Sequence, residues 1–444
     1  MRHVPLILVL TGIALIPACS DRAPSPSPSH SPSPAPAASP SPPPSPSPST
    51  SPSPTTIPAA DAAADLRTLV TELPKLHKDL FFRLPRERWE ALAAAAGEEL
   101  DGHTRAQLAV RLAKLLAAAG DGHTGLALAG LPEFGRLPVI LRVFPDGLYV
   151  IEAARDHGAL RGKKLARIGR QTADEARAAV EPLISRDNAG FLAAQVAQVL
   201  TIPEVLQAVG ISDRADLVRV ETADGAGFEL ARVASWREVA WHKPSELVPL
   251  HRSKPHLAYW NDWLPREKTL YFQYNRCADD PAAKMTFAQL VEGTLGFMNQ
   301  KPVERFVLDL RDNGGGDSRI AAPLIAALAA HPTLNARGRL LVLIGRNTFS
   351  SAVLNALELK KKTRALLVGE PTGGRPSHFG EVKTLTLPRT GWKISYSTKY
   401  FTTDLVQGDP DALAPDLPVE VTGAAWFSGR DPVLDAALAF TPGS

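Results

Sequence analysis

Cysteine is almost missing: Cys19 and Cys277 are the whole supply in 444 residues, so no intramolecular disulfide framework holds this chain together. Strong charge of either sign is missing too. With 49 Lys and Arg against 46 Asp and Glu, the net charge of +3 is too small over this length to draw the chain to nucleic acid. The apolar run from Val4 to Ile16 falls short of the roughly 20 residues a membrane-spanning helix needs. No cluster with metal-ligand spacing stands out, and no cofactor is called for. Asn313-Gly-Gly-Gly316 lacks both the spacing and the lysine of a nucleotide-phosphate loop.

What is present begins with delivery. Arg2 and His3 precede the short apolar run, and Ala18 precedes Cys19, the pattern of a secretory signal over residues 1–19. Ile16-Pro-Ala-Cys19 resembles a bacterial lipobox, which implies lipidation at Cys19 and an extracytoplasmic chain anchored to a bacterial membrane. Residues 20–58 are nearly all Ser, Pro, Ala and Thr, a composition that buries no core and tends to extended polyproline II. It reads as a spacer.

The rest is long enough for one large or two to three smaller domains. Its most informative stretch is Arg305 to Arg375. Phe306 to Leu310, Leu340 to Ile344 and Ala365 to Val368 are short apolar runs, and Ile320 to Leu328 and Ala352 to Leu359 carry helical spacing. Strands alternating with helices predict a parallel sheet with right-handed crossovers, an α/β fold. Loops after the carboxyl ends of such strands share one edge. That edge would bring Asn313-Gly-Gly-Gly316 and Asn347-Thr-Phe-Ser-Ser351 face to face. A serine at a strand-to-helix turn lies where helix amides favour negative charge, although a serine before a helix is more often only an N-cap.

Asp309-Leu-Arg-Asp-Asn-Gly-Gly-Gly316, Thr348-Phe-Ser-Ser-Ala352 and Gly369-Glu-Pro-Thr-Gly-Gly374, in this order, resemble the core of the S41 serine peptidases, the tail-specific or C-terminal processing protease and tricorn-core family. The resemblance implies a ββα-type, crotonase-like catalytic core over residues 249–444. It also implies an inserted PDZ-like α+β segment over 136–248, on the strength of Gly147-Leu-Tyr-Val-Ile151 and Gly162-Lys-Lys-Leu-Ala-Arg-Ile-Gly169. Residues 59–135 are expected as an N-terminal helical region that carries the loop Gly120-Asp-Gly-His-Thr124.

The same resemblance assigns roles. Ser350 is the nucleophile, with Ser351 as runner-up, and the amides of Gly315 and Ser351 form the oxyanion hole. Where Ser-Lys members carry their lysine, this chain has Arg375, and a guanidinium accepts no proton. The histidine-dependent branch then points to His123 as general base, with His378 as an alternative. A third member aligns with Asp409, Asp411 being its rival and Asp121 an alternative partner of His123. The substrate would be a polypeptide, cleaved through an acyl-enzyme. The competing expectation is an inactive S41-like protein that binds a peptide or hydrophobic ligand in the same cleft, since fold alone does not fix activity. Oligomeric state stays open.

Overall fold

The computed structural model describes residues 56–243, 248–281 and 285–441. The expected signal, Cys19 and the spacer up to residue 55 lie outside the described residues.

The N-terminal region holds α1 (Ala59–Leu76), α2 (Arg86–Ala96) and α3 (Arg105–Ala117). α1 buries Leu66, Leu69 and Leu73 along one face, the stripe their spacing dictates. α3 opens on a reciprocal capping box between Thr104 and Gln107, which satisfies two otherwise unpaired amides. Gly120, at φ 75°, turns the chain into the Gly120–Thr124 loop and the short strand β1 (Gly125–Leu126).

The middle segment starts with an antiparallel hairpin of β2 (Val139–Phe144) and β3 (Gly147–Ala153). β4 (Leu165–Ile168), β5 (Gln171–Thr172), α4 (Ala173–Val180), α5 (Ala189–Val199), α6 (Pro203–Ala208), β6 (Leu217–Thr222) and β7 (Gly227–Ala231) follow. The last four strands form an antiparallel sheet in the order β5-β4-β6-β7.

The final region contributes β8 (Tyr259–Leu264), β9 (Thr269–Tyr274), α7 (Phe287–Gln300), β10 (Arg305–Asp309), α8 (Ala322–Ala330), β11 (Leu340–Ile344), α9 (Ser351–Lys362) and β12 (Leu366–Gly369). After these come the hairpin β13 (His378–Thr386) and β14 (Lys393–Phe401), then β15 (Leu417–Pro418), α10 (Gly423–Phe427) and α11 (Pro432–Ala439). The six-stranded sheet runs β15-β12-β11-β10-β9-β8, parallel throughout except for β8. The inner strands β10, β11 and β12 read as continuous apolar runs because both faces are covered. Leu340, Val342 and Ile344 enter one cluster, and Leu341 and Leu343 enter the other.

A third cluster ties the N-terminal and middle segments to the β13–β14 hairpin. It runs from α1, α2 and α3 through the middle segment to Leu387, Trp392, Ile394 and Tyr396, so one continuous core spans the 135/136 boundary expected from sequence. β1 pairs antiparallel with β14, Leu126 opposite Ile394. The Asp65 carboxylate accepts from the amides of Arg389 and Thr390, each at 2.8 Å, and from Thr390 Oγ1 at 2.6 Å. These contacts fold the N-terminal region back onto the β13–β14 hairpin, and the His123 loop goes with it. No helix among the described residues is long and apolar enough to cross a membrane.

Candidate active site

β10 and β11 pair in parallel, Asp309 opposite Leu343, so their following loops emerge on one sheet edge, where open α/β sheets place their ligands. Thr348 fastens the two loops together. Its Oγ1 donates to Leu310 O at 2.8 Å and accepts from Gly345 N at 3.0 Å. Phe349 N donates to Asn313 O at 3.0 Å. The product is a tight strand-to-helix turn with Ser350 at its tip.

Ser350 has φ 53° and ψ −126°, and its side chain makes no cap hydrogen bond to α9. A non-glycine residue in this region costs on the order of 1–3 kcal/mol. Capping therefore does not explain the serine. Gly315 (φ 101°) packs so close that a Cβ there would stand 2.7 Å from Ser350 Cβ and 3.0 Å from Ser351 N. Only glycine fits that backbone.

The two expected oxyanion donors differ. The Gly315 amide already donates to Asn313 Oδ1 at 2.9 Å, and Asn313 is fully buried, so this donor is committed within its own loop. The Ser351 amide opens α9, where first-turn N–H groups lack helical partners. The Ser351 hydroxyl donates to Gly316 O at 2.6 Å, an engagement that leaves it poorly placed as a nucleophile.

Beside this turn lies the His123 loop. The His123 side chain is 7 % exposed, and both its ring nitrogens lack hydrogen-bond partners, including Ser350. Its ring stacks on Phe349 with centroids 4.5 Å apart and on His378 at 5.6 Å. Phe191 covers the other face of Phe349 at 4.4 Å, and Phe401 lies 5.5 Å beyond His378. A column of rings thus clamps His123 next to the residue preceding Ser350.

Asp121 Oδ1 stands 3.8 Å from His123 Nδ1, too long for a hydrogen bond. The same carboxylate accepts from His123 N at 2.9 Å, His77 Nε2 at 3.0 Å, Thr124 Oγ1 at 2.5 Å and Ser397 Oγ at 2.7 Å. Burial alone would raise its pKa, but the His77 bond, the nearby charge of His123 and these donors hold it far below the carboxylate range. Asp121 stays ionised.

Sequence reasoning missed the second acid. Asp187, 6 % exposed, precedes Asn188, whose side chain caps α5. Its Oδ1 accepts from Gly122 N at 2.8 Å and its Oδ2 from Arg375 N at 3.4 Å. Burial pushes its carboxyl up, Asp121 adds to the rise, and His123 and the two amides oppose it. One ligand atom each from Asp121, His123 and Asp187 lies within 4.8 Å of the others, a donor set that can hold a cation. A turn sequence such as Ser185-Arg-Asp-Asn188 gives no local sign of this.

Asp409 and Asp411 are placed elsewhere. Arg375, 7 % exposed, takes both: its Nη2 reaches Asp409 Oδ2 at 2.7 Å and its Nη1 pairs with Asp411. With side chains 61 % and 75 % exposed, neither contacts His123. The residue standing in the lysine's place has drawn both acids to itself. His378 hydrogen-bonds Arg375 O through Nδ1 at 2.9 Å. Burial, and then repulsion from His123, lower its pKa to about 4, so it is neutral and weakly basic near pH 7. A pocket of about 180 Å³ lies here, walled by Asp121, Asp187, Arg375, His378, Tyr400 and Asp409 among others.

Below the glycine loop, Arg311 donates to Asp309 Oδ2 at 2.6 Å and to Asp431 at 2.7 and 2.8 Å, while His251 Nδ1 meets Asp431 at 2.8 Å. This buried network ties the start of α11 to the loop after β10.

No protein-family model matches the chain, and no curated protein does. Solved structures do. Mature CPAF complexed with lactacystin is 13% identical, with 86% of this chain and 98% of that one covered at a TM-score of 0.59. A point mutant of CPAF gives 12%, 86% and 96% at 0.61. The chain shares its fold with CPAF, in line with the S41-like core expected from the sequence motifs. The photosystem II D1 C-terminal processing protease, at 15% identity over 81% of this chain and 93% of that one, superimposes at 0.42, too loosely to add an argument. Within this fold, the sheet edge offers a strained serine at a helix N-terminus, and the N-terminal region offers a buried imidazole between two carboxylates.

Proposed function

We propose that the chain is a serine-type peptidase that hydrolyses polypeptides through an acyl-enzyme on Ser350. The observation that carries this reading is the backbone of Ser350, φ 53° and ψ −126° with no capping role, the strained strand-to-helix turn in which nucleophilic serines are presented.

In the proposed reaction, Ser350 Oγ attacks the peptide carbonyl while His123 takes its proton. The imidazolium so formed is stabilised by the ionised Asp121 and the adjacent Asp187. The amide of Ser351, and that of Gly315 once released from Asn313 Oδ1, face the developing oxyanion. Collapse breaks the C–N bond as His123 returns the proton to the leaving amine. Water, deprotonated by His123, then releases the acyl group and regenerates Ser350. His123 and Ser350 are not hydrogen-bonded at rest, so the first step includes their closure, as is common in ligand-free sites. We further propose that the spacer and a lipid on Cys19 anchor the enzyme, extracytoplasmic, to a bacterial membrane, a reading supported by residues 1–58 alone.

A second reading has support in the separation of His123 from Ser350: an inactive protein that binds ligand in the same cleft. Fluorophosphonate labelling of the full chain decides between them. The peptidase reading expects covalent labelling that disappears in Ser350→Ala and drops in His123→Ala. Folded protein that takes no label from roughly pH 6 to 9 overturns the peptidase reading and leaves the binding one.

A further inference from the structure

We propose that a first-row transition-metal dication binds between Asp121, His123 and Asp187 and silences the site by occupying the His123 lone pair. The inhibitory half of this proposal rests on His123 being the general base; the binding half does not.

The three donors come from far apart in sequence and meet out of solvent. Asp121 is 1 % exposed as a side chain, His123 is 7 % exposed, and Asp187 is 6 % exposed overall. Ligands each about 2.1 Å from one four-coordinate ion stand about 3.4 Å apart. The 3.8 Å between His123 Nδ1 and Asp121 Oδ1 is a few tenths of an ångström from that spacing. The 4.8 Å bound on the whole set leaves only a small side-chain rotation to bring in Asp187.

Two features point to a ligand rather than to a self-contained cluster. His123 is buried with both ring nitrogens unpartnered, and unpaired buried polar atoms are costly and rare. The Asp187 carboxyl accepts, among the described residues, from the amides of Gly122 and Arg375, while the Arg375 guanidinium turns to Asp409 and Asp411. A dication would neutralise the two carboxylates and take the imidazole lone pair. The donor set selects the class. Magnesium and calcium prefer oxygen ligands alone, whereas one imidazole with two carboxylates suits zinc, cobalt, nickel or iron. The pocket of about 180 Å³ that includes Asp121 and Asp187 in its wall gives the ion a way in and leaves room for a water as fourth ligand. An ion seated here would hold His123 neutral and unable to accept the Ser350 proton.

The test uses the full chain, chelator-treated and then titrated with zinc by calorimetry, and with cobalt(II) by visible absorption. One zinc per chain with a dissociation constant below about 10 µM is expected, together with a cobalt band of low coordination number. Asp187→Asn and His123→Phe, the latter keeping the ring stack, should each weaken binding at least tenfold, with folding checked by circular dichroism. Saturating zinc should cut fluorophosphonate labelling of the unmodified chain by about tenfold or more, reversed by chelator. No zinc or cobalt binding by the unmodified chain overturns the site, as does binding unchanged in both folded variants. Binding that leaves labelling unchanged overturns the inhibition. Should the metal-free protein never label, the peptidase reading fails, and the isotherms still decide the site.

Discussion

The two halves of the candidate site are built in opposite ways. The serine half is local: β10, β11 and their loops are strapped by Thr348 and by the Phe349 amide on Asn313, and its central residue is held under strain. The histidine half is assembled from a distance. His123 reaches the site because Asp65 binds the β13–β14 turn, β1 pairs with β14, and Asp121 takes the Ser397 hydroxyl. The serine half is set when the parallel sheet forms, whereas the histidine half depends on docking contacts that can loosen separately.

That contrast can be broken from either side. The largest effect is expected from Gly315→Ala, because a Cβ would meet Ser350 Cβ at 2.7 Å in a backbone that disfavours alanine. Labelling of Ser350 should drop by on the order of a hundredfold or more, and the melting temperature should fall as well, since alanine at positive φ is strained. A fully labelled Gly315→Ala protein would mean that the turn is not rigid.

Next comes Asp431→Asn, which leaves Arg311 short of one buried partner. Unfolding by urea should show a loss of about 3–5 kcal/mol. The Arg311 and His251 contacts hold the Asp431 carboxyl well below its ordinary range against the effect of burial. A depressed pKa contributes stability that is complete above the unfolded carboxylate pKa, near 4, and is lost as pH falls through the folded value. The gap between Asp431→Asn and the unmodified chain should therefore narrow in acid, and a gap that widens would contradict the assignment.

Asp65→Ala tests the other half. Loss of three acceptor contacts should cost about 2–3 kcal/mol and expose the Gly120–Thr124 loop to faster hydrogen exchange before the six-stranded sheet opens. Simultaneous exchange in both halves would erase the distinction. Smallest of all is Asp409→Asn. An exposed partner of Arg375 is worth at most about 1 kcal/mol, and labelling should stay within roughly threefold of the unmodified level. A collapse of labelling there would restore Asp409 as the acid serving His123.

The same contrast explains what the sequence disclosed. β11 matches the apolar run Leu340 to Ile344 to the residue, and β10 and β12 fall within one residue of theirs, because strands buried on both faces write unbroken apolar runs. β8, Tyr259–Leu264, alternates poorly and left no such mark. β1 is only Gly125–Leu126, since pairing with β14 decides its length. Ser350 and the glycine loop were legible through topology. Asp187 was not, because its meaning arises from meeting Gly122 and Arg375, and Arg375 proved to be an anchor for Asp409 and Asp411 as well as a missing lysine.

The left-handed backbone of Ser350 has an evolutionary consequence. Glycine at that position would relieve strain on the order of 1–3 kcal/mol, so a lineage freed from any need for the hydroxyl gains stability by discarding it.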